Sequence, residues 1–203
     1  MPELTLIYFN ARGRAELARW IMAYGDIKYT DDRIERENWP ARKPNIFTGK
    51  VPVLMVDGKP LPESIAIARY LARMADLVPQ DSYEAARVDA IADRLNSAMT
   101  ETHGILYKTE DEKEKTEKFD KHKEEVIKPF FSQLNKHLEG RQWFITNKTT
   151  WADLFIGMSM TWLRMKSPGI LDNYPNITAL VDKVLAIPKI KEWNDKQPKD
   201  LPF

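Results

Sequence analysis

The chain changes its period between Leu4 and Glu16, and that switch constrains the fold more than anything else in the sequence. Leu4, Leu6 and Tyr8 share one face of an alternating run and Thr5, Ile7 and Phe9 the other, the pattern of a strand. From Ala15 onward the apolar residues Leu17, Ala18, Ile21 and Met22 fall at spacings of three and four, so a helix follows, and Gly25 is placed to end it. Residues 27–34 read as a second strand and 51–56 as a third. Asp57-Gly58 then predicts a tight hairpin, because a type I′ turn needs two residues that tolerate positive φ. Leu61 ends the partner strand, and Ser64 opens a helix to about Met74 with Ile65, Ala68, Leu71 and Ala72 facing inward.

The order is βαβ, then ββα. A parallel crossover followed by a hairpin and a helix predicts a thioredoxin-like α/β domain, with helices packed on a mixed four-stranded sheet. Residues 35–50, with Trp39-Pro40 and Phe47-Thr48-Gly49-Lys50, form a connection long enough to suggest a role in function. Beyond a linker at 76–82 the pattern is helical throughout. Val88, Ile91, Ala92, Leu95 and Met99 make one stripe, and Val126, Phe130, Leu134 and Leu138 another, with Pro129 predicting a kink or a restart. Residues 108–125, dense in Lys, Glu and Asp, read as a solvated helix face or a frayed connection. Thr150-Trp151-Ala152-Asp153 has the form of a capping box ahead of an apolar run. Pro175 and Pro188 open two further helices. The expected division is an α/β domain over 1–77 and an all-helical domain over 78–203.

Composition narrows the chemistry. Lys plus Arg number 31 against 30 for Asp plus Glu, a net charge of +1, which gives no footprint for nucleic acid or an acidic membrane. No apolar run approaches a membrane span and the N-terminus lacks the form of a signal peptide, so a cytoplasmic protein is expected. There is no cysteine, which removes disulfides, thiolate metal sites and a cysteine nucleophile together. His103, His122 and His137 lie in polar stretches and read as solvated helix residues, so no metal is expected. Any chemistry must run on hydroxyls, carboxylates, guanidinium groups and backbone dipoles.

Five segments, in order and at the right intervals, give the chain a resemblance to the glutathione S-transferases, and within them to the sigma class. They are the run from Tyr8 to Glu16, Glu37-Asn38-Trp39-Pro40, Lys50-Val51-Pro52-Val53-Leu54, the run from Ile65 to Arg73, and Thr150-Trp151-Ala152-Asp153. The resemblance covers residues 4–198. It implies glutathione as co-substrate, a homodimer, and conjugation of the glutathione thiolate to hydrophobic electrophiles. Two other readings come with the class: a glutathione-dependent isomerase of the prostaglandin type, and a structural or ligand-holding protein like the S-crystallins.

Carried over residue by residue, the resemblance implies that the Tyr8 hydroxyl donates a hydrogen bond to the sulfur and that Arg14 supports the thiolate electrostatically. It implies a cis bond at Val51-Pro52, with the Val51 backbone pairing with the cysteinyl part of glutathione. Ser64, at a helix start, would take the γ-glutamyl carboxylate, and Trp39, Lys43 and Lys50 the glycine end. Phe9, Met99, Phe155, Ser159 and Phe203 would line an electrophile pocket. Arg12 and Arg19 receive no role. Gly104 stands where the prostaglandin synthases carry a tryptophan, which counts against isomerisation. Two departures look linked: Glu63 replaces the usual glutamine, and Ser97 replaces an aspartate that reaches the γ-glutamyl ammonium across the dimer. Asn96 beside it is neutral too, so Glu63 is expected to supply the counter-charge in cis.

Overall fold

The computed structural model describes residues 2–198 together with Leu201 and Pro202. These fall into two compact units, one formed by the stretches up to Val78 and from Leu185 onward, the other by Pro79–Val184.

The first unit is built on β1 (Leu4–Phe9), β2 (Thr30–Ile34), β3 (Val53–Val56) and β4 (Lys59–Pro62), in the order β2-β1-β3-β4. β1 runs parallel to β2, with Tyr8 opposite Arg33, and antiparallel to β3, with Leu6 opposite Leu54. The hairpin forms as expected: Asp57 has φ 48° and Gly58 φ 76°. α1 (Glu16–Tyr24) makes the crossover. The connection after β2 contains short helical turns, including α2 (Trp39–Arg42), and α3 (Ser64–Met74) follows β4 and packs on α1. Leu6, Ile21, Leu54, Ile67 and Leu71 are fully buried and form the core of this unit.

Two local expectations shift. The second strand begins at Thr30 and not at residue 27, because the Ile27 N–H turns back to the Met22 carbonyl at 2.9 Å. Gly25 follows α1 at φ −83°, and it is Asp26, at φ 53°, that takes the left-handed turn.

The second unit is helical: α4 (Ser82–Lys108), α5 (Glu112–His122), α6 (Lys128–His137), α7 (Trp151–Lys166) and α8 (Pro175–Leu185). Every residue from Trp151 to Met160 is buried, so α7 is its central helix. The capping box forms: Asp153 Oδ2 accepts the Thr150 N–H at 2.7 Å and the Thr150 hydroxyl at 2.8 Å, while Oδ1 accepts the Phe144 N–H at 2.7 Å. Residues Lys123–Ile127 widen into a π-turn just before α6, whose second residue is Pro129. A ring with no N–H to give makes that the cheapest place to break the regular ladder. α5 carries its charges outward, with Lys115 paired to Glu112 and Lys118 to Glu114, and buries only Phe119 and His122.

The histidines depart from expectation, since all three are packed. The His103 ring stacks on Trp162 at 4.2 Å and 7°. His122 is buried with Nε2 3.0 Å from the Thr102 hydroxyl, and His137 Nε2 lies 2.7 Å from the Phe144 carbonyl. Aromatic stacking and single hydrogen bonds hold rings that their charged sequence neighbours disguise.

The last helix, α9 (Pro188–Lys196), belongs to the first unit and packs on α1. Its Trp193 Nε1 donates to Glu16 Oε1 at 2.7 Å.

Candidate functional site

β1 ends with Tyr8 and Phe9, and the chain then makes a tight turn before α1. Gly13 sits in that turn at φ +42°, a conformation that costs glycine little. A β-carbon there would lie 2.6 Å from the Tyr8 hydroxyl oxygen. The next residue, Arg14, gives its backbone N–H to the same oxygen at 3.1 Å. The phenol oxygen is thus an acceptor from the turn, and its own proton is left to be donated elsewhere. Tyr8 is half-buried, and the Arg14 side chain is exposed.

A cleft beside this turn is lined by Arg14, Thr48, Lys50, Val51, Pro52, Pro62, Glu63 and Ser64. Six of these are residues that the sequence singles out; Thr48 and Pro62 are not. The Thr48 hydroxyl donates to the Lys50 carbonyl at 3.3 Å and so shapes the loop from inside, a contact with no sequence signature. The Val51–Pro52 bond is cis, as the resemblance implies, and Pro52 is buried.

Ser64 is the first residue of α3, and Glu63 occupies the cap position at φ 71°, ψ 113°. A glutamate held there is strained by about 1–3 kcal/mol, and such strain gathers where a site fixes the backbone. No side-chain cap closes this end of α3, so the N–H groups of its first turn point outward with the positive end of the helix dipole. One guanidinium, one ammonium, one carboxylate and a helix N-terminus therefore share one cleft. That arrangement suits a zwitterionic, peptide-like ligand with more than one carboxylate.

Trp39 and Lys43 are not on the cleft wall. Trp39 is half-buried, and its ring meets Phe9 edge-on at 5.1 Å, with Phe9 in turn 5.7 Å from Tyr8. Lys43 is exposed, with its Cε against Gly49 in the loop that leads to Lys50. Of the residues expected around an electrophile, Phe9 is half-buried in the first unit. Met99, Phe155 and Ser159 are buried on α4 and α7 of the second. Phe203 lies outside the described residues. Gly104, on α4, has nothing within 4 Å of where a β-carbon would stand. Ser97 is exposed and donates its hydroxyl to the Asp93 carbonyl at 3.0 Å. Among the described residues no group of His, Cys, Asp or Glu is placed to hold a metal ion, and no helix is long and apolar enough to cross a membrane.

Known proteins share this architecture from end to end. Residues 4–73 match the glutathione S-transferase N-terminal domain and residues 98–197 the glutathione S-transferase C-terminal domain. The chain is 41% identical over 199 residues to the mouse haematopoietic prostaglandin D synthase, covering 98% of each chain. It is 33% identical over 200 residues to a glutathione S-transferase of Anopheles gambiae, again covering 98% of each. The structure of rat hPGDS complexed with a quinoline superposes with a TM-score of 0.90 at 40% identity, covering 98% of both chains.

Proposed function

Since the chain belongs to the glutathione S-transferase family, we propose that it ionises the glutathione thiol beside Tyr8 and transfers the sulfur to hydrophobic electrophiles. The observation that carries this reading is the Tyr8 hydroxyl, which accepts from Arg14 N–H at 3.1 Å and keeps its own proton to donate. A free thiol has a pKa of about 8.5, so only a few per cent is thiolate at neutral pH. Lowering that value by about two units requires roughly 2.7 kcal/mol. One charge-assisted hydrogen bond, at about 1.5–3 kcal/mol, is of that size. The thiol proton leaves to water, the sulfur pair forms a C–S bond, and the leaving group departs with the pair from the bond that breaks.

In this reading the start of α3 with Ser64 takes the γ-glutamyl carboxylate, the Val51 backbone pairs with the cysteinyl unit, and Lys43, Lys50 and Trp39 face the glycine carboxylate. Arg14 adds a cation beside the developing thiolate. The protein acts as a homodimer in the cytoplasm, and sedimentation reporting only a 23.6 kDa species at micromolar concentration argues against the dimer.

The decisive experiment is conjugation of glutathione to an activated aryl chloride and to a panel of other electrophiles. Wild type should turn over, and Tyr8→Phe should lose most of kcat while still binding glutathione. Tight glutathione binding with no conjugation across the panel supports the ligand-holding alternative instead. A second reading, glutathione-dependent isomerisation, draws on the relatives named as prostaglandin D synthases. Gly104 weighs against it, because it stands where the resemblance places a tryptophan and its would-be β-carbon has nothing within 4 Å among the described residues.

A further inference from the structure

The turn that carries Gly13 and Arg14 is held in place by a buried charge. Arg19, on α1, is fully buried. Its Nη1 donates to the Ala11 carbonyl at 2.6 Å and lies 3.4 Å from the Arg12 carbonyl. Nε and Nη2 donate to Asp31 on β2 at 3.3 and 3.2 Å. Glu16, also buried, closes on Nη1 at 3.3 Å, and the guanidinium carbon stands 5.9 Å from the centroid of the Tyr8 ring. The network continues outward. Asp31 also pairs with Arg33 at 2.8 Å, and Arg33 reaches Asn10 Oδ1 at 3.3 Å and Gln197 Oε1 at 3.1 Å.

A buried ion network is not in itself a gain in stability over well-packed apolar residues. Its placement here has a more specific effect. The carbonyls of Ala11 and Arg12 lie immediately before Gly13, and the guanidinium holds both while its other edge is fixed to a strand. The Arg12 N–H is tied separately, to the Pro202 carbonyl at 2.7 Å. These contacts restrict the main chain that leads into Gly13, and with it the Arg14 N–H that reaches the Tyr8 oxygen at 3.1 Å. A guanidinium presents five N–H donors in a flat fork, and only such a fork reaches a carboxylate on one side and a main-chain carbonyl on the other.

We propose that Arg19 is a positioning residue for thiol ionisation: it acts through the main chain of residues 11–14 on the Tyr8 hydroxyl and does not touch the tripeptide. The proposal rests on the reading that Tyr8 holds the thiolate. Its test therefore reads the thiol directly, as the thiolate absorbance of enzyme-bound glutathione titrated against pH with no electrophile present. Arg19→Lys keeps the charge and removes the fork. The bound-thiol midpoint should rise by about one pH unit, a tenfold fall in the thiolate ratio. Below that midpoint kcat should fall in step, with the glutathione KM within about threefold of wild type. A folded Arg19→Lys protein with the wild-type midpoint overturns the proposal. Should that variant not fold, Asp31→Asn, which frees one edge of the arginine at a partly exposed site, decides in the same way: a raised midpoint supports the proposal and an unchanged one overturns it. If wild type binds no glutathione, the transferase reading fails first and the proposal falls with it.

Discussion

A β-carbon on Gly13 would stand 2.6 Å from the Tyr8 hydroxyl, closer than real carbon–oxygen contacts come. The turn and the phenol are therefore fitted to each other with no spare room. Gly13→Ala adds a positive-φ penalty to that clash, and the Arg14 N–H or the phenol must move. Loss of a hydrogen bond worth about 1.5–3 kcal/mol in the transition state predicts a ten- to hundredfold fall in kcat for conjugation. The glutathione KM should change much less, because Lys50, Val51, Pro52, Glu63 and Ser64 line the cleft from other segments. Steady-state kinetics at fixed pH checks this, and a Gly13→Ala enzyme with wild-type kcat would refute it.

Glu63 combines a strained backbone with a charged side chain in the cleft, and two substitutions separate the roles. Glu63→Gln keeps the shape and removes the charge; the loss of an ammonium counter-charge, about 1–3 kcal/mol, should raise the glutathione KM several-fold or more. Glu63→Gly relieves the φ of 71° and should raise the urea midpoint while weakening glutathione binding at least as much. Calorimetric binding by Glu63→Gln that matches wild type would sink the role assigned to the charge.

Asp153 satisfies three buried donors, from Phe144 and Thr150, with two oxygens. Asp153→Ala leaves all three without an acceptor and opens the start of α7. Each orphaned group costs about 1–3 kcal/mol, so a loss of about 3 kcal/mol or more in unfolding free energy is expected from urea denaturation. A loss below about 1 kcal/mol would mean that water replaces the carboxylate.

The Tyr29 hydroxyl is buried without a hydrogen-bond partner among the described residues. Burial, with Asp31 beside it, pushes this phenol well above its ordinary range. The folded state thus keeps the proton to higher pH than the unfolded chain, whose phenols ionise near pH 10. The stability tied to that proton is complete below about pH 10 and is lost as pH rises toward the folded value. Tyr29→Phe should match or exceed wild-type stability at pH 8 and lose less than wild type at pH 10.5. A variant that loses stability faster than wild type above pH 10 contradicts this.

Much of the fold was legible because it is written in short-range patterns. Alternation marks β1, Asp57-Gly58 marks the hairpin, Thr150 and Asp153 mark the start of α7, and Pro175 and Pro188 mark the first residues of α8 and α9. Each signal acts within a few residues of itself. The cleft was legible for a different reason, the resemblance carried by five segments: Arg14 and Val51-Pro52 lie in two of them and Ser64 immediately precedes a third. What stayed hidden depends on partners distant in sequence. Arg19 receives no role from the sequence until Asp31, twelve residues on, meets it from β2. His122 reads as solvated amid Lys and Glu until Thr102 appears twenty residues earlier. Thr48 acts through a main-chain carbonyl, which leaves no trace in side-chain pattern.

The return of α9 to α1 also bears on how the protein is made. The sheet with α1, α2 and α3 is complete in sequence by Met74, yet Glu16 has no Trp193, and Arg33 no Gln197, until the last helix and the residue after it have been synthesised. On the ribosome the whole sequence of the helical unit emerges while the earlier one still lacks its final brace. Glu16 and Arg33, both members of the charge network around Arg19, therefore gain their last partners only at the very end of synthesis.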